Sequence, residues 1–147
     1  MSGTFLAAAF EEARAAGARG EVPVGAVVTQ GERIVAAAGN RVEELADASA
    51  HAEILALRAA GTALGSPRLI DCDLWVSLEP CPMCAAAISM ARIRRLYFGA
   101  YDPKGGGVDH GPRIFQQTNC RHRPEVVGGL DEAVAARLLR EFFAEKR

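Results

Sequence analysis

Two prolines that stand two residues apart, Pro80 and Pro82, divide the middle of this chain. The residues before them, 73–79 (DLWVSLE), follow a period of two and predict a β-strand. Proline cannot extend a strand but suits the first turn of a helix, so residues 84–92 are predicted to be helical. Residues 94–101 (RRLYFGAY) predict the next strand. This strand–helix–strand order indicates an α/β fold.

The remaining predicted elements continue this alternation. A helix is predicted over 4–16, followed by two strands over 25–30 and 33–39 around a turn at Gly31-Glu32. A polar loop over 40–49 leads to a helix from near Ala50 to about Ala63, which Ser49 can cap. After the central elements come a strand over 125–129 and a helix over 131–146. The sequence contains no visible repeat or linker. We therefore expect residues 1–147 to form a single three-layer α/β/α domain, whose mixed five-stranded sheet carries helices on both faces.

Composition excludes several classes of protein. Half of the residues are hydrophobic and the net charge is -1, which excludes a disordered chain and a protein coated with basic residues. Any contact with nucleic acid must then come from a local basic patch. No apolar run approaches the roughly 20 residues of a membrane span, and no export signal is visible. We expect a cytoplasmic protein with reduced thiols and no membrane partner.

Two short segments carry the chemistry, and each opens a predicted helix: His51-Ala52-Glu53 and Pro80-Cys81-Pro82-Met83-Cys84. Cys81 and Cys84, three residues apart, can face one ion, and the positive end of the helix favours their thiolates. His51 can supply a third ligand, and no fourth of similar quality is near. Three protein ligands leave one position for water, which is typical of a catalytic zinc ion. We predict one Zn²⁺ per chain.

Glu53 distinguishes this site from a simple metal site, because a carboxylate beside activated water can carry its proton to a substrate. A lone Cys-x-x-Cys could instead be a redox pair or half of a four-cysteine zinc site. Cys72 and Cys120 have no second cysteine at ligand spacing, so we expect both to be inert thiols. Together the two segments match H-x-E…P-C-x-x-C, the known signature of zinc deaminases.

These motifs make the chain resemble the cytidine/deoxycytidylate deaminase superfamily and, within it, the bacterial tRNA-specific adenosine deaminases. The resemblance runs from about Glu21 to the C-terminus. It rests on the segments 21–26 (EVPVGA), 39–41 (GNR), 50–54 (AHAEI), 77–85 (SLEPCPMCA), 98–100 (FGA), 102–105 (DPKG) and 142–143 (FF).

The resemblance implies a cytidine deaminase-like fold and hydrolysis of adenosine to inosine at the wobble position of a tRNA anticodon. It implies that His51, Cys81 and Cys84 hold zinc, that zinc-bound hydroxide attacks C6, and that Glu53 shuttles protons. It further implies a homodimer that binds the anticodon loop near the dimer interface. The positions that it assigns to substrate binding are Asn40, the main chain at Ala52 and Pro80, Asp102, Phe142 and Phe143.

Two other functions stay open on the residues alone. A deaminase of free guanine, cytosine or cytidine needs the same zinc site, and a non-catalytic zinc-stabilised binding module needs the ligands but not Glu53. His110 and His122 are expected at the surface. Several basic residues could supply the RNA-binding patch, and the sequence does not choose among them: Arg92, Arg94, Arg95, Arg121, Arg123, Lys146 and Arg147.

Overall fold

The computed structural model describes residues 2–145, in which five strands form one sheet with the order β2-β1-β3-β4-β5. The strands are β1 (Gly25–Gln30), β2 (Arg33–Gly39), β3 (Cys72–Leu78), β4 (Arg95–Ala100) and β5 (Glu125–Val127). The helices are α1 (Ser2–Ala18), α2 (Val42–Leu45), α3 (Ala52–Leu64), α4 (Pro82–Met90) and α5 (Glu132–Glu145), with a short 3₁₀ helix over Ile114–Gln116.

The pairing of the strands brings several strand ends to one edge of the sheet. β1 is antiparallel to both β2 and β3, whereas β3, β4 and β5 are mutually parallel. Gly25 at the start of β1 pairs with Gly39 at the end of β2, and Leu78 at the end of β3 pairs with Ala100 at the end of β4. The predicted mixed five-stranded sheet is confirmed.

Helices cover both faces of this sheet, as predicted. One apolar cluster joins α3 and α4 to the sheet through side chains such as Leu57, Ile88 and Phe98. The other cluster joins α1 and α5 to the opposite face, where Phe5 and Phe10 pack near Trp75. Burying each such large apolar side chain stabilises the fold by roughly 1.5–3 kcal/mol. The two layers of helices hold the sheet edge in a fixed position.

The segment before α3 differs from its prediction. The expected loop over 40–49 contains the helix α2, whose first turn is stabilised by Glu21. Ser49 does not cap α3, because its hydroxyl donates to Asp47 Oδ1 at 2.7 Å. His51 occupies the N-cap position without a side-chain capping bond. The first N–H of α3, that of Ala52, instead donates to the Asn40 side-chain oxygen at 2.7 Å.

The remaining bounds agree closely with prediction, and α5 is described as far as Glu145. Lys146, the predicted end of this helix, and Arg147 lie outside the described residues. Across residues 2–145, no helix combines the length and the apolar character that crossing a membrane requires.

Candidate metal centre and active site

The predicted site residues lie at the sheet edge where the ends of four strands meet. Asn40 follows β2, Pro80 and Cys81 follow β3, and Asp102 follows β4. The start of β1 is fixed at the same edge, because the Gly25 N–H donates to the Ser77 hydroxyl at 3.0 Å. The first turn of α3 adds the remaining predicted residues. Elements distant in sequence therefore form one site, as expected at the carboxyl ends of strands in an α/β sheet.

Three possible metal ligands converge here. Nδ1 of His51 lies 3.6 Å from Cys81 Sγ and 3.5 Å from Cys84 Sγ. Their three donor atoms all lie within 4.8 Å of one another. Within residues 2–145, these side chains form the cluster that could hold a metal ion. His51 and Cys81 are half-buried, while Cys84 is buried.

The spacing of these atoms suits zinc. Tetrahedral bonds of about 2.3 Å to sulfur and 2.0–2.1 Å to nitrogen place the nitrogen and sulfur atoms roughly 3.6 Å apart. The distances of 3.5 and 3.6 Å match this requirement. One imidazole and two thiols also form a typical donor set for zinc. The residues present therefore fit a zinc ion held by His51, Cys81 and Cys84.

The local electrostatics favour a thiolate in this group. A hydrogen bond from the Cys84 thiol, opposed by burial and supported by His51, lowers the pKa of Cys81 to about 4. The same thiol hydrogen bond and burial raise the pKa of Cys84. Hydrogen bonding to Cys81, opposed by burial, raises the pKa of His51. One thiolate, that of Cys81, is thus stabilised within the group.

Glu53 lies directly beside the ligands. Its carboxyl group is buried and interacts electrostatically with Cys81 and His51. Burial raises the pKa of Glu53 to about 7, which suits a group that both accepts and releases a proton near neutral pH. Its Oε1 atom has no hydrogen-bond partner among the described residues. A buried carboxylate oxygen that is left unpaired is costly, so its retention points to a chemical role.

Asn40 is held rigidly above the first turn of α3. Its N–H donates to the Val24 carbonyl, its own carbonyl accepts from the Arg19 guanidinium, and its side-chain oxygen accepts from the Ala52 N–H. The side-chain oxygen is therefore engaged, which leaves the amide NH₂ to donate to another group. Ala52 and Pro80, the two positions predicted to contact substrate through the main chain, are both buried.

A cavity of about 730 Å³ opens onto these groups. Its lining includes Asn40, Glu53 and Asp102 as well as Phe142 and Phe143 of α5. The two phenylalanine rings meet edge to face, with centroids 5.2 Å apart. Phe143 is half exposed, so an aromatic surface lies at the mouth of the cavity. The structure thus brings the predicted substrate-binding side chains to the cavity that contains Glu53.

Sequence reasoning assigned no role to Glu79, although it quoted this residue within a motif. The Glu79 side chain is fully buried and accepts hydrogen bonds from the loop that follows β4. Burial opposes its charge most strongly, but the N–H groups of Asp102, Asp109 and Val108 and the His110 ring outweigh it, so the pKa of Glu79 is lowered. The signal in the sequence that could have identified Glu79 is its position between an apolar strand and Pro80.

The two other histidines are not simple surface residues. His110 Nδ1 lies 2.8 Å from Glu79 Oε1, and His122 Nε2 lies 2.6 Å from the Ile93 carbonyl oxygen. Both residues are half-buried. Both residues keep partial exposure, as expected for positions at the surface, but partners distant in sequence also engage each ring.

The basic residues considered for the RNA-binding patch lie in different parts of the structure. Arg94 forms a two-point ion pair with Asp73, and Arg95 pairs with Glu125. Arg94 directly precedes β4 and Arg95 is its first residue, so both lie at the sheet edge opposite the metal centre. Arg121 and Arg123 are exposed. Arg94 and Arg95 are consequently poor candidates for RNA contact at this site, whereas Lys146 and Arg147 lie outside the described residues.

The chain is similar to known proteins over most of its length. A family described as the cytidine and deoxycytidylate deaminase zinc-binding region matches residues 2–100. A tRNA-specific adenosine deaminase of Agrobacterium fabrum is 57% identical over 143 residues, which are 97% of this chain and 94% of that protein.

Two solved structures extend the comparison. One comes from a study of A-to-I editing by tRNA:A34 deaminases at the wobble position of transfer RNA. It is 56% identical, has a TM-score of 0.91, and the match covers 92% of this chain and 99% of that one. A guanine deaminase from Nitrosomonas europaea is 29% identical, with a TM-score of 0.82 and coverage of 95% and 83%.

Proposed function

This chain belongs to the cytidine and deoxycytidylate deaminase family and, within it, to the tRNA-specific adenosine deaminases, and on that premise we propose that it hydrolyses adenosine to inosine at the wobble position of a tRNA anticodon. The observation that carries this proposal is the buried Glu53 carboxylate, whose Oε1 atom has no hydrogen-bond partner within residues 2–145, beside three converging metal donors. A non-catalytic binding module would have no use for that carboxylate.

His51, Cys81 and Cys84 would hold the zinc ion. When bound, zinc supplies a Lewis acid that makes water acidic enough to ionise near neutral pH. The remaining chemistry falls to this chain's own residues. Glu53 takes one proton from the attacking water and delivers it to N1 of adenine as C6 is attacked. It then takes the proton of the new C6 hydroxyl group and passes it to the amino group, which leaves as ammonia. Its raised pKa suits both directions of transfer.

Other residues position the base. The free amide of Asn40 donates to the flipped nucleoside, while its oxygen stays bound to the Ala52 N–H. In this proposal the main chain at Ala52 and Pro80 also contacts the base; both residues are buried, and their neighbours in sequence, His51, Glu53 and Cys81, line the cavity. A nucleotide of an anticodon loop is less costly to extrude than a base in a duplex, so a closed pocket of this kind is compatible with an RNA substrate.

The mouth of the cavity supports RNA as the carrier of the base. Asp102 and the aromatic pair Phe142 and Phe143 line the cavity, and Phe143 is half exposed. Aromatic rings stack on unpaired bases whatever their sequence. In this proposal Asp102 contacts the RNA backbone and the phenylalanines contact the anticodon loop.

Deamination of a free purine is the second candidate. It is favoured by the likeness to the Nitrosomonas guanine deaminase, whose fold extends over nearly the whole of this chain. The zinc ligands and Glu53 would serve either substrate, so the shape of the base pocket and the surface around it separate the two functions.

We also propose that the enzyme is a homodimer. A groove of about 900 Å³, larger than the cavity at Glu53, lies between α3 and α4. Its lining is mainly apolar, and Met90 at its border is 78% exposed. An exposed apolar surface of this kind is typical of an interface.

We further propose that residues 1–147 act as one domain in the cytoplasm. Both apolar clusters pack on a single sheet, which supports one cooperative unit. The four cysteines are all free, and a reducing compartment keeps Cys81 and Cys84 able to bind zinc.

One experiment separates the two candidate activities. The purified protein, analysed for zinc, is incubated with an anticodon stem-loop bearing a wobble adenosine and separately with free adenosine, guanine, cytosine and cytidine. We expect inosine in the stem-loop and no ammonia from the free compounds. Turnover of a free compound without activity on the stem-loop would overturn the proposal.

A further inference from the structure

Glu79 is a buried carboxylate that the proposed chemistry does not use. It directly follows β3, and its side chain is 0% exposed. Oε1 accepts from the Asp102 N–H at 2.9 Å and pairs with His110 Nδ1 at 2.8 Å. Oε2 accepts from three successive N–H groups, those of Val108, Asp109 and His110, at 2.9–3.2 Å. Residues 102–110, here called the β4 loop, thus fold around one negative charge.

The close packing of the β4 loop shows how specific this arrangement is. A Cβ atom at Gly106 would lie 2.5 Å from the Glu79 carboxyl carbon, and one at Gly107 would lie 2.5 Å from the Pro82 nitrogen. Larger residues at either position would displace the loop. The Gly107 N–H also donates to the Pro80 carbonyl at 2.8 Å, directly beside the ligand Cys81. The loop therefore bridges Glu79 and the metal-binding turn.

The same bonds define the position of Asp102. Its N–H is bound to Glu79, and its carbonyl accepts from the Gly106 N–H at 2.8 Å. Its Oδ1 atom accepts from the N–H groups of Lys104 and Gly105, and within residues 2–145 no hydrogen bond uses Oδ2. The side chain is thereby held in one orientation at the cavity lining, with one oxygen available.

We propose that Glu79, supported by His110, is a positioning residue that shapes the β4 loop and so presents Asp102 to the RNA substrate. This inference rests on the proposed function, because it assumes that Asp102 contacts RNA. Burying a carboxylate is costly unless hydrogen bonds compensate it, and here every compensating donor comes from the β4 loop. The charge therefore organises that loop in particular.

The test compares Glu79→Gln with the wild-type enzyme. Glutamine keeps the shape of the side chain but replaces one oxygen with an NH₂ group, which must then face N–H donors. The first readout is amide hydrogen exchange at Val108, Asp109 and His110 in the zinc-loaded protein without RNA. We expect faster exchange at these amides. On the stem-loop substrate we expect KM to rise about tenfold while kcat changes much less.

Variants at His110 give an independent test should Glu79→Gln fail to fold. His110→Leu removes the ring donor and should raise KM. His110→Asn retains a donor at the same distance from the backbone, so its KM should stay close to that of the wild-type enzyme. Asp73→Asn is the matched control, because Asp73 is another buried carboxylate but pairs with Arg94 at the far sheet edge. This control should leave loop exchange and KM unchanged.

A double-mutant cycle with Asp102→Ala identifies the route. If Glu79 acts through Asp102, the second substitution adds little to the KM of Glu79→Gln. Additive effects, or unchanged loop exchange and KM in the Glu79 and His110 variants, would overturn the inference. A wild-type enzyme without activity on the stem-loop would overturn the proposed function instead, since the exchange measurement needs no RNA.

Discussion

At the scale of single residues, three buried carboxylates at this site have different surroundings. Both oxygens of Glu21 and of Glu79 accept hydrogen bonds from backbone N–H groups. Glu53 keeps one buried oxygen without a partner in the described range, and burial raises its pKa to about 7. The charged form is thus stabilised at Glu21 and Glu79. Glu53 can exchange between its charged and neutral forms near neutral pH, as proton transfer requires.

The first prediction concerns Glu53→Ala. We expect the variant to retain one zinc ion per chain, because the three donors converge without help from this carboxylate. Turnover should fall by at least about 10²-fold, the lower range for a lost general acid–base. Zinc analysis and single-turnover kinetics on the stem-loop measure the two effects. A variant that loses zinc would identify Glu53 as a ligand rather than a proton carrier.

The second prediction separates two roles of Asn40. Asn40→Ala leaves the buried Ala52 N–H unpaired and should destabilise the fold by about 1–3 kcal/mol. Asn40→Asp keeps an acceptor for that N–H but loses the NH₂ donor, so it should remain closer to wild-type stability while KM rises. Urea unfolding and steady-state kinetics check both variants. Equal stability loss in the two would contradict a capping role for the side-chain oxygen.

The role of a single residue is predictable from the sequence when its type and its spacing from similar residues indicate that role. His51, Cys81, Cys84 and Glu53 combine rare metal-binding types at specific spacings, so the motif placed them together before the fold was known. Glu79 carries no such mark, because its role depends on a loop more than 20 residues away. Its function is defined by tertiary hydrogen bonds rather than by neighbours in sequence.

At the scale of elements, α2 shows how a tertiary contact creates a helix. It has only four residues, too few for an amphipathic pattern. The Glu21 carboxylate accepts from the N–H groups of Glu43 and Glu44 at 3.1 and 2.9 Å. Sequence reasoning assigned a loop here because the stabilising group lies about 20 residues earlier. The strands and long helices were predictable, since their periodicity is local.

The third prediction follows from the ionisation of Glu21. Burial is the largest influence and opposes its charge, but the N–H groups of Glu44 and Glu43 and the charge of Arg19 outweigh it and lower its pKa below 4.5. The unfolded chain therefore binds this proton more tightly than the folded one. The stabilisation is complete above about pH 4.5 and is lost as the pH falls through the lower folded-state pKa.

Comparison with Glu21→Gln isolates this contribution. We expect the variant to be about 1–3 kcal/mol less stable than wild type at pH 6, since it loses a charged acceptor. The difference should shrink as the pH falls below about 4.5. Urea unfolding of both proteins across this range measures it, and any loss of zinc in acid affects both alike. A difference that stays constant with pH would contradict the ionised role of Glu21.

At the scale of the whole molecule, the mixed sheet is what makes a single site possible. The antiparallel β1 and the parallel pair β3 and β4 direct Val24, Cys81 and Asp102 to one edge. The predicted alternation of strands and helices gave this architecture correctly. It could not give the pairing of Arg94 and Arg95 with acidic partners, which only the register of β4 reveals.

The fourth prediction concerns self-association through the groove between α3 and α4. Met90→Asp places a charge on its most exposed apolar side chain and should convert a dimer into a monomer in analytical ultracentrifugation. Ile70→Asp, which changes another exposed apolar residue that does not line the groove, is the matched control and should remain dimeric. A Met90 variant that stays dimeric would place the interface elsewhere.

The central claim is deamination of the wobble adenosine by this zinc site. The most direct measurement treats unmodified transcripts of bacterial tRNAs with the zinc-loaded enzyme or with Glu53→Ala and sequences the products, in which inosine is read as guanosine. We predict adenosine-to-guanosine changes confined to the wobble position, present with wild type and absent with Glu53→Ala. Changes spread over other adenosines, or none while free guanine is deaminated, would contradict the account.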